Sequence, residues 1–330
     1  MAIVEVRDLV KIFRVRKRGT GPLGILRRKT REVHAVDGIS FDVEEGEIVG
    51  YIGPNGAGKS TTVKCLTGIL VPTSGVVTVG GLVPWRDRIK NGRQIGVVFG
   101  QKTSLWWDVP VIDTYRLLRD IYDVPEPVFR RNLGLLDDIL GLKEFQDTPV
   151  RQLSLGQRVR ADLGAVMLHN PRFLFLDEPT IGLDVAAKER LRVFIANMNA
   201  ATRVTVFLTT HDMSEIERLC RRIMIIDRGR LVYSGSISDA IQKYAPCSDV
   251  VVELAETPSG PVVVEGGEVV RQEGARYWIR FRRDQTTAGH LVGQLMAKYP
   301  VKDFRVDDPN VEQIVKTVYG ALAPVEEAPK

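Results

Sequence analysis

Cysteine is scarce in this chain: Cys65, Cys220 and Cys247 stand among 330 residues. They are odd in number and scattered, which excludes a disulfide framework and a zinc-ligand spacing and fits a reducing cytoplasm. Long apolar runs are also missing, since none approaches the roughly 20 residues that cross a bilayer as a helix. Residues 1–8, Met-Ala-Ile-Val-Glu-Val-Arg-Asp, lack the basic head and apolar stretch of a signal peptide. The expectation is a chain that spans no membrane. One stretch lacks acid. From Leu9 to Arg31 there is no Asp or Glu, while Arg14, Arg16, Lys17, Arg18, Arg27, Arg28, Lys29 and Arg31 are basic.

What is present is ordinary for a globular protein. Hydrophobic residues make up 44% and charged residues 26%, which argues against disorder, and the length allows one large domain with a smaller one. The net charge of +5 permits an anionic partner and equally fits a solvated surface rich in Arg.

Ile3, Val4, Val6, Val10 and Ile12 read as β structure, followed by a basic insertion over about 14–34 around Gly19-Thr20-Gly21-Pro22. Residues 47–52 read as a buried strand running into a glycine-rich loop, and residues 60–70 carry apolar positions at helical spacing. Residues 114–141 suggest a helical subdomain, placed at about 102–165. Residues 173–176 and 204–208 read as central parallel strands, apolar on both faces. Arg228-Gly229-Arg230 sits between two apolar runs as a hairpin turn. Past Tyr244 the composition shifts, so the domains are expected at 1–244 and 245–330. The second is a small α+β unit with strands near 250–254, 262–264, 276–281 and 304–306 and helices near 291–299 and 311–319.

The chemistry concentrates in two segments. Gly53-Pro54-Asn55-Gly56-Ala57-Gly58-Lys59-Ser60 satisfies the P-loop pattern between a predicted strand and a predicted helix. Its glycines let backbone N–H groups turn around a phosphate at a helix N-terminus. Lys59 is suited to the β- and γ-phosphates and Ser60 to Mg²⁺, with Thr61 following on the helix. Phe173-Leu174-Phe175-Leu176-Asp177-Glu178 is an apolar strand ending in two carboxylates, Asp177 for the metal's outer shell and Glu178 to polarise the attacking water.

Beside these, Leu153-Ser154-Leu155-Gly156-Gln157 resembles the signature motif of ABC transporter ATPases, a short helix ahead of the acidic strand. Gln101 is similar to that family's Q-loop glutamine, Gly182-Leu183-Asp184 to its D-loop and His211 to its switch histidine. The resemblance covers nearly all of 1–244. It implies an α/β P-loop NTPase core with an antiparallel β subdomain and a helical subdomain. It also implies ATP and Mg²⁺ as ligands, with Ser60, Gln101 and Asp177 around the metal. In the family two such domains meet head to tail, so that ATP lies between one P-loop and the partner's Ser154, Gly156 and Gln157. Here the physics agrees, because the Ser154 hydroxyl, the Gly156 N–H and a helix beginning at Gln157 make a second anion-binding terminus. Asp184 and His211 complete the nucleotide contacts. Phe13 is the candidate for stacking on adenine, with a plain core position as the other reading.

Two residues depart from the pattern: Leu155 stands where the commonest motif has glycine, and Ile181 where a small residue is frequent. Trp106-Trp107 has two open readings, a cleft for a membrane subunit's coupling helix or packing under the helical subdomain. His34, His169 and His290 share no ligand spacing, and Tyr277 and Trp278 are explained by alternating strand faces.

The resemblance therefore implies an ATPase subunit of an ABC transporter of the exporter branch, peripheral on the cytoplasmic face of the membrane. Its expected partners are a second ATPase subunit, as a homodimer, and separate integral-membrane permeases. The basic insertion is assigned to anionic lipid or an acidic permease surface, with a solvated loop as the alternative, and no nucleic acid is expected. An importer ATPase is the near rival. A non-transport ATPase of translation or DNA repair is the distant one, disfavoured by a single ATPase domain and by the short interval between Ser60 and Leu153.

Overall fold

The structure, a computed structural model, describes residues 2–17, 29–100 and 103–322. The chain divides into two compact units, Met1–Gly235 and Ser236–Lys330. The division falls ahead of the helix at 237–244 rather than after Tyr244, because that helix packs on the final helix of the second unit.

In the first unit, β1 (Ala2–Lys17), β2 (Lys29–Glu44) and β4 (Ser74–Val79) form an antiparallel sheet in the order β2-β1-β4. The expected basic insertion is here a β-ribbon on both of its arms: Phe13 pairs with Val33, Arg14 with Glu32, Val15 with Arg31 and Lys17 with Lys29. Alternation simply continues through the charged residues, and Arg14 closes on Glu32 at 3.0 Å. Residues 18–28, with Arg18, Arg27, Arg28 and the Gly-Pro segment, lie outside the described residues.

The main sheet runs β5 (Ile95–Phe99), β6 (Phe173–Asp177), β7 (Thr205–Thr209), β3 (Ile48–Ile52), β8 (Arg222–Asp227), β9 (Arg230–Ser236). Strands β5, β6, β7, β3 and β8 pair in parallel. Every residue of β6 and β7 is buried, as helices on both faces of a parallel sheet require. Arg228 and Gly229, at φ 46° and 80°, form the two-residue turn between β8 and β9, the left-handed pair that matches hairpin twist. Phe41 of β2 stacks on Phe207 of β7 at 6.0 Å between ring centres, and Tyr51 of β3 lies 5.1 Å from Phe207. That aromatic cluster joins the antiparallel sheet to strands β3 and β7 of the main sheet.

Helices α1 (Lys59–Leu66), α2 (Arg88–Gln94), α6 (Val185–Thr202) and α7 (Met213–Leu219) belong to this layer. Helices α3 (Val111–Ile121), α4 (Glu126–Leu140) and α5 (Leu155–Met167) make the helical subdomain.

The second unit holds α8 (Ile237–Tyr244) and a four-stranded antiparallel sheet in the order β11-β12-β10-β13. Its strands are β10 (Cys247–Leu254), β11 (Gly267–Glu273), β12 (Arg276–Arg282) and β13 (Val301–Asp307). Its helices are α9 (Ala288–Lys298) and α10 (Val311–Leu322). Tyr277, Ile279 and Phe281 point into a core shared with Leu291 and Leu295, as the alternation indicates. The strand expected at 262–264 is not one. Val262 and Val264 are buried, but they sit in a loop after Pro261 that fills the core by side chain alone. The pairing strand is β11, more polar and further on.

Candidate nucleotide site

Strand β3 delivers the P-loop to α1. Gly58, at φ 111°, caps the helix, and a Cβ there would lie 2.4 Å from the Ala35 carbonyl oxygen, so only glycine fits. Gly53 is equally confined, 2.6 Å by the same measure from the Ile226 carbonyl oxygen. The loop thus wraps a cavity of about 570 Å³ lined by Gly53, Pro54, Asn55, Gly56, Gly58, Lys59, Ser60, Thr61, Glu178, Ile181 and His211. Ala57 instead turns into the core, 3% exposed. Ala35, which closes the cavity from the β1–β2 ribbon, carried no signal in the sequence.

Lys59 is buried and donates to the Gly53 carbonyl at 2.6 Å, with Glu178 Oε1 3.5 Å away. Ser60 Oγ donates to Asp177 Oδ1 at 3.2 Å, and Thr209 Oγ donates to the same oxygen at 2.6 Å. Two hydroxyls on one oxygen fix the carboxylate of Asp177 next to the first residues of α1. This hydroxyl–carboxylate pair suits a hard cation that keeps most of its ligands as water and phosphate. Among the described residues there is no cluster of three or more His, Cys, Asp or Glu to hold a metal by side chains alone.

Glu178 has φ 54°, an uncommon conformation for a side chain of this kind, with a cost of order 1–3 kcal/mol. Its N–H is held by the Thr209 carbonyl at 2.9 Å. His211 Nδ1 lies 2.6 Å from Glu178 Oε2, and the ring is otherwise open to solvent. Gly100 abuts this strained residue: a Cβ at 100 would lie 1.8 Å from the Glu178 carbonyl oxygen, and its N–H donates to Asp177 O. A second cavity of about 380 Å³, lined by Ser60, Phe99, Gly100, Asp177, Glu178 and Ile181, lies on that side. Gln101 lies outside the described residues.

The signature residues do not line the P-loop cavity. Helix α5 starts at Leu155, two residues before the expected Gln157, because Ser154 and Gln157 form a reciprocal capping box. Ser154 Oγ accepts the Gln157 N–H at 3.2 Å, and Gln157 Oε1 accepts the Ser154 N–H at 2.9 Å. Asp184 likewise caps α6, accepting the Ala187 N–H at 2.7 Å. Leu155 rests on the D-loop: its Cδ2 is 2.9 Å from where a Gly182 Cβ would stand. Phe13 is not a core residue. It is 37% exposed on β1, with Lys11 Nζ 5.3 Å above its ring.

Two further groups were not legible beforehand. Asp162 of α5 is buried and accepts Thr103 Oγ at 3.0 Å, Ser104 N at 2.8 Å and Ser104 Oγ at 2.9 Å, all on Oδ1. Burial pushes its carboxyl above the usual range. It ties the signature helix to the segment just after Gln101. Glu215 of α7 is 1% exposed beside Thr180 and Thr210, and burial raises its carboxyl too.

Comparison with known proteins now decides the family. The family profile described as ABC transporter matches residues 36–181. The Nod factor export ATP-binding protein I of Ralstonia nicotianae is 34% identical over 71% of this chain and 72% of its own length. The chain belongs to the ABC transporter ATP-binding proteins. Membership carries the P-loop fold and an ATPase activity with it. The methionine import ATP-binding protein MetN of Geobacillus kaustophilus is 29% identical over 88% of the chain and 86% of its own length. Among solved structures, cbiO1 from Clostridium perfringens, described as part of the ABC transporter complex cbiONQ, is 25% identical. It superposes with a TM-score of 0.61 over 73% of this chain and 91% of that one. The family thus includes relatives named for export and for import.

Proposed function

We propose that the chain hydrolyses ATP as one of two head-to-tail cassettes and that the cycle drives transport by separate membrane-spanning subunits. One observation carries this reading: Lys59, Ser60, Glu178 and His211 converge on one cavity while Ser154 and Gly156 stand away from it. A cavity with a phosphate cradle and a base but no second anion-binding terminus is half of a composite site. The partner's signature helix supplies the other half.

Lys59 offsets charge on the phosphates, Glu178 polarises the water, and His211, held against Glu178, keeps it oriented. Ser60 and Asp177 would hold Mg²⁺ on the protein side, with Gln101 as the remaining candidate, and the cation would supply positive charge against the phosphates. Exposed Phe13 is offered to the base. Trp106 and Trp107, 44% and 47% exposed, favour the cleft for a membrane subunit over internal packing. A neighbour described as part of a transporter complex supports that partner.

A peripheral position on the membrane's cytoplasmic face follows from this role. Among the described residues no helix is long and apolar enough to cross a bilayer. The cationic ribbon, whose sequence from Leu9 to Arg31 contains no acidic residue, is assigned to anionic headgroups or an acidic permease face, each charge near a lipid surface contributing about 1 kcal/mol. Export is the direction assigned, on the higher identity to an export protein. Import is the second reading, favoured by the longer match to MetN.

The test is Mg²⁺-dependent phosphate release by the purified chain and its Lys59→Ala variant. Turnover that survives either omission of Mg²⁺ or loss of Lys59 contradicts the reading.

A further inference from the structure

We infer that β13 is a symmetric docking edge through which the C-terminal unit pairs with the same strand of a second copy, independently of nucleotide. This goes beyond the ATPase reading, in which pairing depends on ATP at the composite site.

The four-stranded sheet has two edges, and they are built differently. On β11 the ladder skips Val270 between Val269 and Arg271, a bulge in mid-strand that blocks regular pairing. On β13 the ladder with β10 is regular from Asp303 to Asp307, and every residue from 302 to 307 is exposed. No other strand lies beyond it among the described residues. Phe304 and Val306, 43% and 40% exposed, pair with Val252 and Val250, so they stand on the face that α9 covers elsewhere. Asp303 and Arg305 stand on the opposite face, across from Glu253 and Val251. A long, regular, partly apolar edge is an invitation to another strand.

Charge selects the partner and the register. Two antiparallel copies of β13 related by a dyad through Phe304 place Phe304 against Phe304 on one face. On the other they place Asp303 opposite the partner's Arg305, twice, since a twofold interface repeats each contact. Centring the dyad on Asp303 or Arg305 instead sets like charges against each other. Arg305 now pairs with Asp307 of its own strand in an exposed contact that solvent can exchange. The result is one continuous sheet of eight strands, four from each copy.

The experiment is sedimentation of the full chain without nucleotide, for the parent, Asp303→Arg, Arg305→Asp and the double exchange. The parent is expected to dimerise. Each single variant, turning two attractions into two repulsions, is expected to weaken the dimer about 10-fold or more. The double exchange is expected to restore it, which a folding defect would not do. In parallel, Phe304→Cys is expected to cross-link to itself on mild oxidation and Val270→Cys is not. A parent that is monomeric until ATP is added overturns the inference and leaves the ATPase reading standing. So does a folded double exchange that stays monomeric, or a single variant as dimeric as the parent.

Discussion

Asp162→Ala removes an acceptor on which three donors converge, and its cost can be worked from the structure. The carboxylate is buried, and Thr103 Oγ, Ser104 N and Ser104 Oγ all donate to Oδ1 at 2.8–3.0 Å. At about 1 kcal/mol net for each bond, with Ser104 exposed enough to recruit water, the loss is about 2–3 kcal/mol. For a unit of this size that corresponds to a fall in Tm of about 4–12 °C. Asp162→Asn should behave differently. It keeps an oxygen at Oδ1 and removes the burial penalty on the charge that raises the carboxyl's pKa, so its stability should stay within about 1 kcal/mol of the parent. Both variants are read by thermal unfolding without nucleotide and by ATPase rate. Because Thr103 and Ser104 lie two and three residues after Gln101, the alanine variant should also lower turnover. Equal Tm for Asp162→Ala and parent, or an Asn variant as unstable as the Ala variant, would refute the reasoning.

Three other outcomes are expected. Gly58→Ala, which sets a Cβ 2.4 Å from the Ala35 carbonyl at φ 111°, should abolish tight nucleotide binding, measured by titration with a fluorescent ATP analogue. His169, stacked on Tyr122 at 4.0 Å, is held by burial at a pKa of about 4 against 6.5 unfolded. Its neutral form is favoured in the fold, so the unfolded chain binds the extra proton and stability falls as pH drops from about 6.5 toward 4. The gap corresponds to about 3 kcal/mol at most, and His169→Phe should flatten that acid limb in urea unfolding. Truncation after Gly235, where the compact units divide, should leave ATP binding intact, since the described residues that line the cavity belong to the first unit.

The sequence carried the nucleotide cavity well because its requirements are local. A strand, a glycine loop and a helix are contiguous, and an apolar strand ending in Asp177 and Glu178 marks its own place in a parallel sheet. What stayed hidden is non-local. Asp162 sits mid-helix and gains its role only when residues 103–104 fold back on it. Ala35 reaches the cavity through the register of a ribbon. The start of α5 was misplaced because Gln157 reads as a first helical residue, whereas its side chain reaches back to cap Ser154. In the second unit, Val262 and Val264 showed the alternation of a strand while serving a loop, and the polar β11 showed little of it. An exposed edge strand needs few apolar residues, so its pattern is weak.

Glu178 is the residue on which the account turns. Replaced by Gln, it keeps its size and its place against His211 and loses the charge that polarises water. The decisive measurement is single-turnover ATP hydrolysis by Glu178→Gln alongside its sedimentation with ATP and Mg²⁺. The account expects ATP affinity near that of the parent, hydrolysis reduced by at least about 100-fold, and a nucleotide-dependent dimer that accumulates. Hydrolysis close to the parent's rate would contradict it.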